Sequence, residues 1–291
     1  MTALPAGRVL AWYAGAAREL PWREPGVRPW AVLVSEVMLQ QTPVARVRPA
    51  YQAWLERWPT PAALAAEPAA EALRQWGRLG YPRRAVRLHA AAVAIVERFG
   101  GEVPSDLADL LGLPGVGQYT ARAVAAFAFG QRQPVLDTNV RRVLARAVHG
   151  RAEALGGPGG DMAVLDAALP AAPARAALFS QALMELGALM CRARNPRCEG
   201  CPLIGRCAWR AAGRPPSDPT ATKARPGYPG SDRHVRGLLL GRLRAAASTV
   251  PRSALEIVWP DAIQRDRALA SLVADGLASE ATPGSFRLGR C

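Results

Sequence analysis

The stretch SDLADLLGLPGVGQYTARAVAAFAF, Ser105–Phe129, decides the fold. Ser105–Leu111 reads as a helix, with Ser105 as its N-cap and Asp106 near its positive end. It stops at Gly112. After Leu113-Pro114-Gly115-Val116-Gly117, helical spacing resumes over Gln118–Phe129. Two helices joined by such a turn predict a helix-hairpin-helix. Gly115 and Gly117 lack a Cβ, so the turn can adopt positive φ and let backbone approach a phosphate closely. The free amides at the start of the second helix then form an anion site.

The rest of the chain suits a polyanion as partner. Its 291 residues carry a net charge of +14, which points to nucleic acid. No apolar run reaches membrane-spanning length. The first 210 residues read as a succession of short helices with Pro or Gly punctuation, and no sustained period-two alternation supports a sheet-based catalytic domain. The fold class is therefore all-α, followed after a Pro/Gly-rich linker by a small appendage. Within that appendage His234–Ala247, Ser253–Val258 and Asp261–Gly276 read as helices and Ala278–Leu288 as a hairpin, the outline of a winged helix.

Four of the five cysteines fall in one run, Cys191-x6-Cys198-x2-Cys201-x5-Cys207. Four thiolates suit a tetrahedral zinc or a [4Fe-4S] cluster. Two disulfides are the alternative. Met1–Leu10 has no signal-peptide pattern, so a reducing bacterial cytoplasm is expected, with the protein associated with the nucleoid.

Taken together, LPWR (Leu20–Arg23), SEVMLQQT (Ser35–Thr42), GRLGY (Gly77–Tyr81), LPGVGQYTA (Leu113–Ala121), LDTNVRRVL (Leu136–Leu144) and the cysteine run resemble, in this order, the MutY-type adenine DNA glycosylases. These are members of the helix-hairpin-helix, iron–sulfur glycosylase superfamily. The resemblance runs from about Ala11 to Arg210. It implies a [4Fe-4S] cluster on Cys191, Cys198, Cys201 and Cys207, held in a module of residues 1–27 and 134–211. A helical module of 28–133, a linker of 212–230 and a C-terminal module of 231–291 complete the expected layout.

Breaking an N-glycosidic bond to adenine calls for one protonated acid and one ionised carboxylate in unlike environments. Glu36 lies in a segment that is apolar on nearly every face, so its carboxyl should be desolvated and its neutral form favoured. Asp137 precedes the helix Thr138–Val148, where an N-cap is the plain reading. The resemblance makes Glu36 the residue that protonates adenine and activates water. It makes Asp137 the stabiliser of the sugar cation, with Asn139 positioning it.

Tyr119 occupies the hairpin position where endonuclease III-like relatives carry a Schiff-base lysine. The chain's only lysine is Lys223, so the resemblance implies a monofunctional enzyme that leaves an abasic site. Gln40, Gln41 and Thr42 correspond to the segment inserted into the duplex, and Tyr81 to the wedge that fills the stack after base flipping. Trp22 and Gln181 match positions near the adenine pocket. Arg192 and Arg194, in a loop with Arg197, Arg206 and Arg210 nearby, are expected phosphate contacts. The partner expected is double-stranded DNA with adenine opposite 8-oxoguanine or guanine, bound by a monomer. Most relatives add a Nudix-like domain that reads 8-oxoguanine, and the sixty-odd residues after the linker do not resemble it. An endonuclease III-like lyase acting on oxidised pyrimidines and a non-enzymatic iron–sulfur redox sensor are the alternative readings.

Overall fold

The computed structural model describes residues 4–217 and 227–289. Twelve helices precede the linker: α1 (Ala6–Ala16), α2 (Pro29–Leu39), α3 (Val44–Arg57), α4 (Pro61–Ala65), α5 (Ala69–Trp76), α6 (Arg83–Phe99), α7 (Leu107–Leu111), α8 (Gln118–Phe129), α9 (Thr138–Ala147), α10 (Gly159–Ala168), α11 (Pro173–Leu189) and α12 (Ala208–Ala211). After it come α13 (Asp232–Ala245), β1 (Val250–Pro251), α14 (Arg252–Glu256), α15 (Ala262–Ala274), β2 (Ala278–Thr282) and β3 (Ser285–Leu288). The three strands form an antiparallel sheet in the order β1-β3-β2. That is the winged-helix outline expected, with one two-residue strand that the sequence pattern did not reveal. Lys223 and much of the linker lie outside the described residues.

Packing divides the chain into two compact units. The first takes Met1–Val32, Ser105–Leu111 and Val116–Lys223, and the second Leu33–Pro104, Gly112–Gly115 and Ala224–Cys291. In the first, α1, α9 and α11 bury one apolar core around Val9, Tyr13, Val140, Leu144, Phe179, Leu183 and Leu186. Helix α8 joins this unit because Ala123 and Ala126 pack with Val135 and Ala177. In the second, α4 and α5 lie on α6. Trp54 meets Trp58 and Trp76 edge-on at 4.6 and 5.6 Å, geometry that suits the charge distribution of aromatic rings. Both units thus cut across the modules expected from the sequence.

The hairpin has the expected two helices, with two local corrections. The cap of α7 is Asp106, not Ser105: its Oδ1 accepts from the amides of Ala108 (2.7 Å) and Asp109 (3.2 Å). A carboxylate satisfies two amides at the positive end of the helix and outcompetes a hydroxyl there. Only one of the two turn glycines uses left-handed backbone. Gly115 has φ +78°, and a Cβ there would stand 2.6 Å from Cβ of Arg87. Gly117 has φ −97° and ψ −179° and serves as the extended N-cap of α8. Pro134–Leu136, the short apolar piece before Asp137, is irregular, and no strand pairs with it among the described residues.

Candidate active site and cluster loop

Helix α2 carries Glu36 among Leu33, Val34, Val37 and Met38, all buried, and Glu36 itself is only 4% exposed. The expectation of a desolvated carboxyl holds. Its helix ends in an unusual cap. Arg84, on the buried stripe of α6, donates to the carbonyls of Val37 (2.8 Å), Met38 (2.9 Å) and Gln40 (2.7 Å) and to Thr42 Oγ1 (2.9 Å). It also donates to the Gly80 carbonyl at 3.0 Å, and its guanidinium lies 5.1 Å from the Trp76 ring and 5.5 Å from that of Tyr81. The last carbonyls of a helix need outside donors, and one planar fork supplies several. Burial pulls the Arg84 pKa down to about 10.

Gln41 and Tyr81, on the two segments that Arg84 joins, both adopt left-handed backbone (φ 54° and 48°). Non-glycine residues there store about 1–3 kcal/mol each unless their surroundings hold them. Tyr81 is 48% exposed and so is not a core aromatic. All of these residues belong to the second unit.

The first unit carries Asp137. It caps α9, its Oδ1 accepting from the Val140 amide at 2.7 Å and its Oδ2 from Asn139 Nδ2 at 2.8 Å. Cap and held carboxylate are therefore one arrangement. Burial is the largest influence on this carboxyl and raises its pKa; the donors from Val140 and Asn139 and the charge of Arg142 pull the other way. Arg142 in turn donates to Asn139 Oδ1 (2.7 Å), to the Gly187 carbonyl (2.7 Å) and to the Cys191 carbonyl (2.6 Å). One guanidinium thus ties the first cysteine of the run to the amide that holds Asp137.

Gly187 is the close point of this packing: a Cβ there would sit 2.6 Å from Asn139 Cβ and 2.8 Å from its carbonyl oxygen. Gly187→Ala is expected to push Asn139 aside and, with Asp137 in the catalytic role that the sequence resemblance implies, to slow single-turnover excision about 10- to 100-fold, with a smaller change in Tm, since displacements near 1 Å cost that much at a reacting centre. An unchanged rate would show that Asn139 tolerates the shift.

Trp22 is buried, and Gln181 accepts from the Tyr13 hydroxyl at 3.3 Å. Beside them lies a charge set that the sequence reading missed. Glu185, fully buried, takes Arg18 Nε at 2.6 Å and Arg18 Nη2 at 3.0 Å, and Arg23 Nη1 at 2.9 Å. The arginines hold its pKa below the ordinary glutamate value although burial opposes them. The signal was available: like Glu36, Glu185 interrupts an otherwise apolar helical run. Tyr119 packs against the small core formed by Ala123, Ala126, Val135 and Ala177.

Cys191, Cys198, Cys201 and Cys207 are free thiols lining one cavity with Arg146, Met190, Ile204 and Trp209. Among the described residues no group of three or more His, Cys, Asp or Glu side chains is arranged to hold a single metal ion. The four thiols line one cavity, and a set of four thiolates suits a tetrahedral zinc or a [4Fe-4S] cluster. Burial pushes the Cys201 thiol up to about 11. Arg146 lies beside Cys191, 3.6 Å from its Sγ, and donates to the carbonyls of Arg192 and Ala193. Arg194, Arg197, Arg206 and Arg210 are exposed, whereas Arg192 is partly buried and braces the loop through the Asn195 carbonyl at 2.9 Å.

Residues 34–153 match the HhH-GPD superfamily of base excision DNA repair proteins, and residues 191–207 match the iron-sulfur binding domain of endonuclease III. The adenine DNA glycosylase of Mycobacterium tuberculosis is 56% identical over 283 residues, covering 96% of this chain and 92% of that protein. The human adenine DNA glycosylase is 42% identical over 217 residues, covering 70% and 39%. Among solved structures, a thermostable thymine-DNA glycosylase matches with a TM-score of 0.63 at 26% identity, over 71% of this chain and 95% of that one. A trapped endonuclease III–DNA covalent intermediate matches with a TM-score of 0.62 at 26% identity, over 72% and 95%. Fold and site therefore define a helix-hairpin-helix base excision repair protein with an iron–sulfur loop. More narrowly, the chain belongs to the adenine DNA glycosylase family. It is a DNA-binding hydrolase that carries a [4Fe-4S] cluster, and the non-enzymatic sensor reading falls. No helix of the described residues is long and apolar enough to cross a membrane.

Proposed function

We propose that this enzyme removes adenine paired with 8-oxoguanine, and more slowly adenine paired with guanine, from duplex DNA as a monofunctional, monomeric glycosylase. The observation that carries the chemistry is the contrast between its two carboxyls. Glu36 is sealed in an apolar helix, and Asp137 is held by Val140 and Asn139. A desolvated acid gives its proton to the purine as the glycosidic bond breaks. A positioned carboxylate stabilises the oxocarbenium-like sugar. Water then bonds to the anomeric carbon, and its proton returns to Glu36.

Gln40, Gln41, Thr42 and Tyr81 enter the duplex as the adenine flips out. Gly115, Gly117, Arg192 and Arg194 hold phosphates, and Trp22 and Gln181 line the adenine pocket with the Glu185 charge set. The cluster supplies a rigid scaffold for its basic loop; its four cysteine ligands leave no open position for substrate. Tyr119 provides no amine for a Schiff base.

The test is a duplex with a single labelled adenine opposite 8-oxoguanine. Strand scission only after alkali, with no borohydride-trapped adduct, is expected. Scission without alkali, or a trapped adduct in high yield, would return the lyase reading to favour.

A further inference from the structure

We infer that the C-terminal module is a brace for the Tyr81 turn and not a second reader of DNA. The inference rests on the reading of Tyr81 as the wedge.

Two arginines lock the module onto α5 reciprocally. Arg74, in the last turn of α5, donates to the carbonyls of Arg244 (2.7 Å) and Ala246 (2.6 Å) at the end of α13. Arg244 Nε donates back to the Leu73 carbonyl at 3.0 Å near the end of α5. Each helix thus receives donors for its terminal carbonyls from the other. At the other end of α5, Gly289 packs on Ala70: a Cβ there would lie in van der Waals contact, 3.4 Å from Ala70 backbone atoms. A third tie reaches the far side of the turn. Arg83, the first residue of α6, pairs with Asp275 at 3.4 Å, and Arg236 holds Asp275 from within the module at 2.6 Å.

The module therefore grips α5 and the start of α6, the two elements that flank residues 77–82. That turn holds three positive φ angles, at Gly77 (53°), Gly80 (85°) and Tyr81 (48°). The glycines adopt these angles freely, and Tyr81 alone is strained, a conformation that persists only where its surroundings hold it.

The charges on the third helix of the module speak against a reader there; Arg233, Arg242 and Arg287, without a carboxylate partner among the described residues, lie on other elements. The module's described residues carry eight arginines and six carboxylates, a small part of the chain's +14. Arg267 is paired with Asp232, Arg252 with Asp266, and Arg236 with Asp275. Arg265 is spent on the carbonyls of Glu256 and Trp259. The helix that enters the groove in a winged helix is α15. Its outer positions are Ile263, Asp266, Arg267 and Ala270, which offer a phosphate backbone no uncompensated cation.

The experiment uses the full-length enzyme. Arg74→Met, Asp275→Asn, Tyr81→Ala and Arg267→Glu are compared by single-turnover excision, duplex affinity and the fluorescence of a 2-aminopurine beside the mispair. The fluorophore reports unstacking by the wedge, which a general loss of stability would not imitate. Arg74→Met is expected to reduce the unstacking signal and the excision rate about tenfold, the worth of one or two lost hydrogen bonds. Asp275→Asn should show a smaller loss of the same kind, and keeps the test alive if Arg74→Met does not fold. In a Tyr81→Ala background neither change should cost more, because the element they hold is gone. Arg267→Glu should leave affinity unchanged. Losses that multiply in the Tyr81→Ala background, or a larger affinity loss for Arg267→Glu than for Arg74→Met, would overturn the brace. A silent Tyr81→Ala would instead remove the wedge reading beneath it.

Discussion

Glu36→Gln is expected to slow adenine release about 10²–10⁴-fold, the usual worth of a positioned general acid, while affinity for the mispaired duplex changes little. The substitution keeps shape and polarity at a buried position but removes the only proton the side chain can give. Glu36 lies in α2 with Ser35, Val34 and Met38, all buried, and a glutamine amide there is no acid of matched strength. In the proposed reading, binding depends on other groups: arginines, the hairpin amides and the inserted segment. The loss should therefore fall on the single-turnover rate and not on the dissociation constant. Gel-shift titration beside single-turnover kinetics separates the two. Undiminished excision by Glu36→Gln would sink the assignment of the acid.

Asp137→Asn is expected to be the second large loss, about 10²–10³-fold in rate, comparable to removing one preorganised electrostatic stabiliser. Here the structural and chemical roles separate cleanly. Asparagine caps a helix as well as aspartate does, so α9 keeps its start and the fold survives. Only the negative charge proposed to stabilise the sugar cation disappears.

Stability gives this prediction a second readout with a definite sign. Burial raises the folded pKa of Asp137 above its unfolded value, so the native state holds this proton more tightly. The resulting contribution to stability is fully present below about pH 3.9, the ordinary aspartate value, and is lost as pH rises through the folded pKa. The asparagine variant has no such loss. Its Tm relative to wild type should therefore climb as pH rises from the ordinary aspartate range toward neutrality. Any mismatch of the new amide with Asn139 adds only a constant offset. A difference that stays flat with pH, or falls, would mean that the carboxyl is not buried at a cost.

Much of the site was legible because its signals are local. A glycine–proline turn between two apolar periodicities can be read within twenty-five residues, and so can an aspartate directly before a helix. Gly115, Asp137 and the burial of Glu36 came out as read. Errors were also local in kind. Ser105 and Asp106 are adjacent and both able to cap, and only geometry shows which oxygen reaches the amides of Ala108 and Asp109. Gly117 was read as a left-handed glycine, yet a helix N-cap needs only extended backbone.

What escaped reading lies far apart in the chain. Glu185 meets Arg18 across 167 residues, and Arg74 meets Arg244 across 170. Arg83 and Arg84 are neighbours that look alike in sequence. One reaches a carboxylate of the C-terminal module; the other is buried at the end of α2. Sequence alone determined the helical class, the hairpin, the run of four thiols and Asp137 as a helix cap, because periodicity and capping act over a few turns of chain; the roles of Glu36 and Asp137 came from the family resemblance. Only the tertiary structure decided that Asn139, Arg142 and Cys191 form one chain of hydrogen bonds behind Asp137. It alone placed the C-terminal module on α5. Spacing says which side chains share a face of a helix, but the carbonyl a guanidinium reaches depends on how distant elements pack.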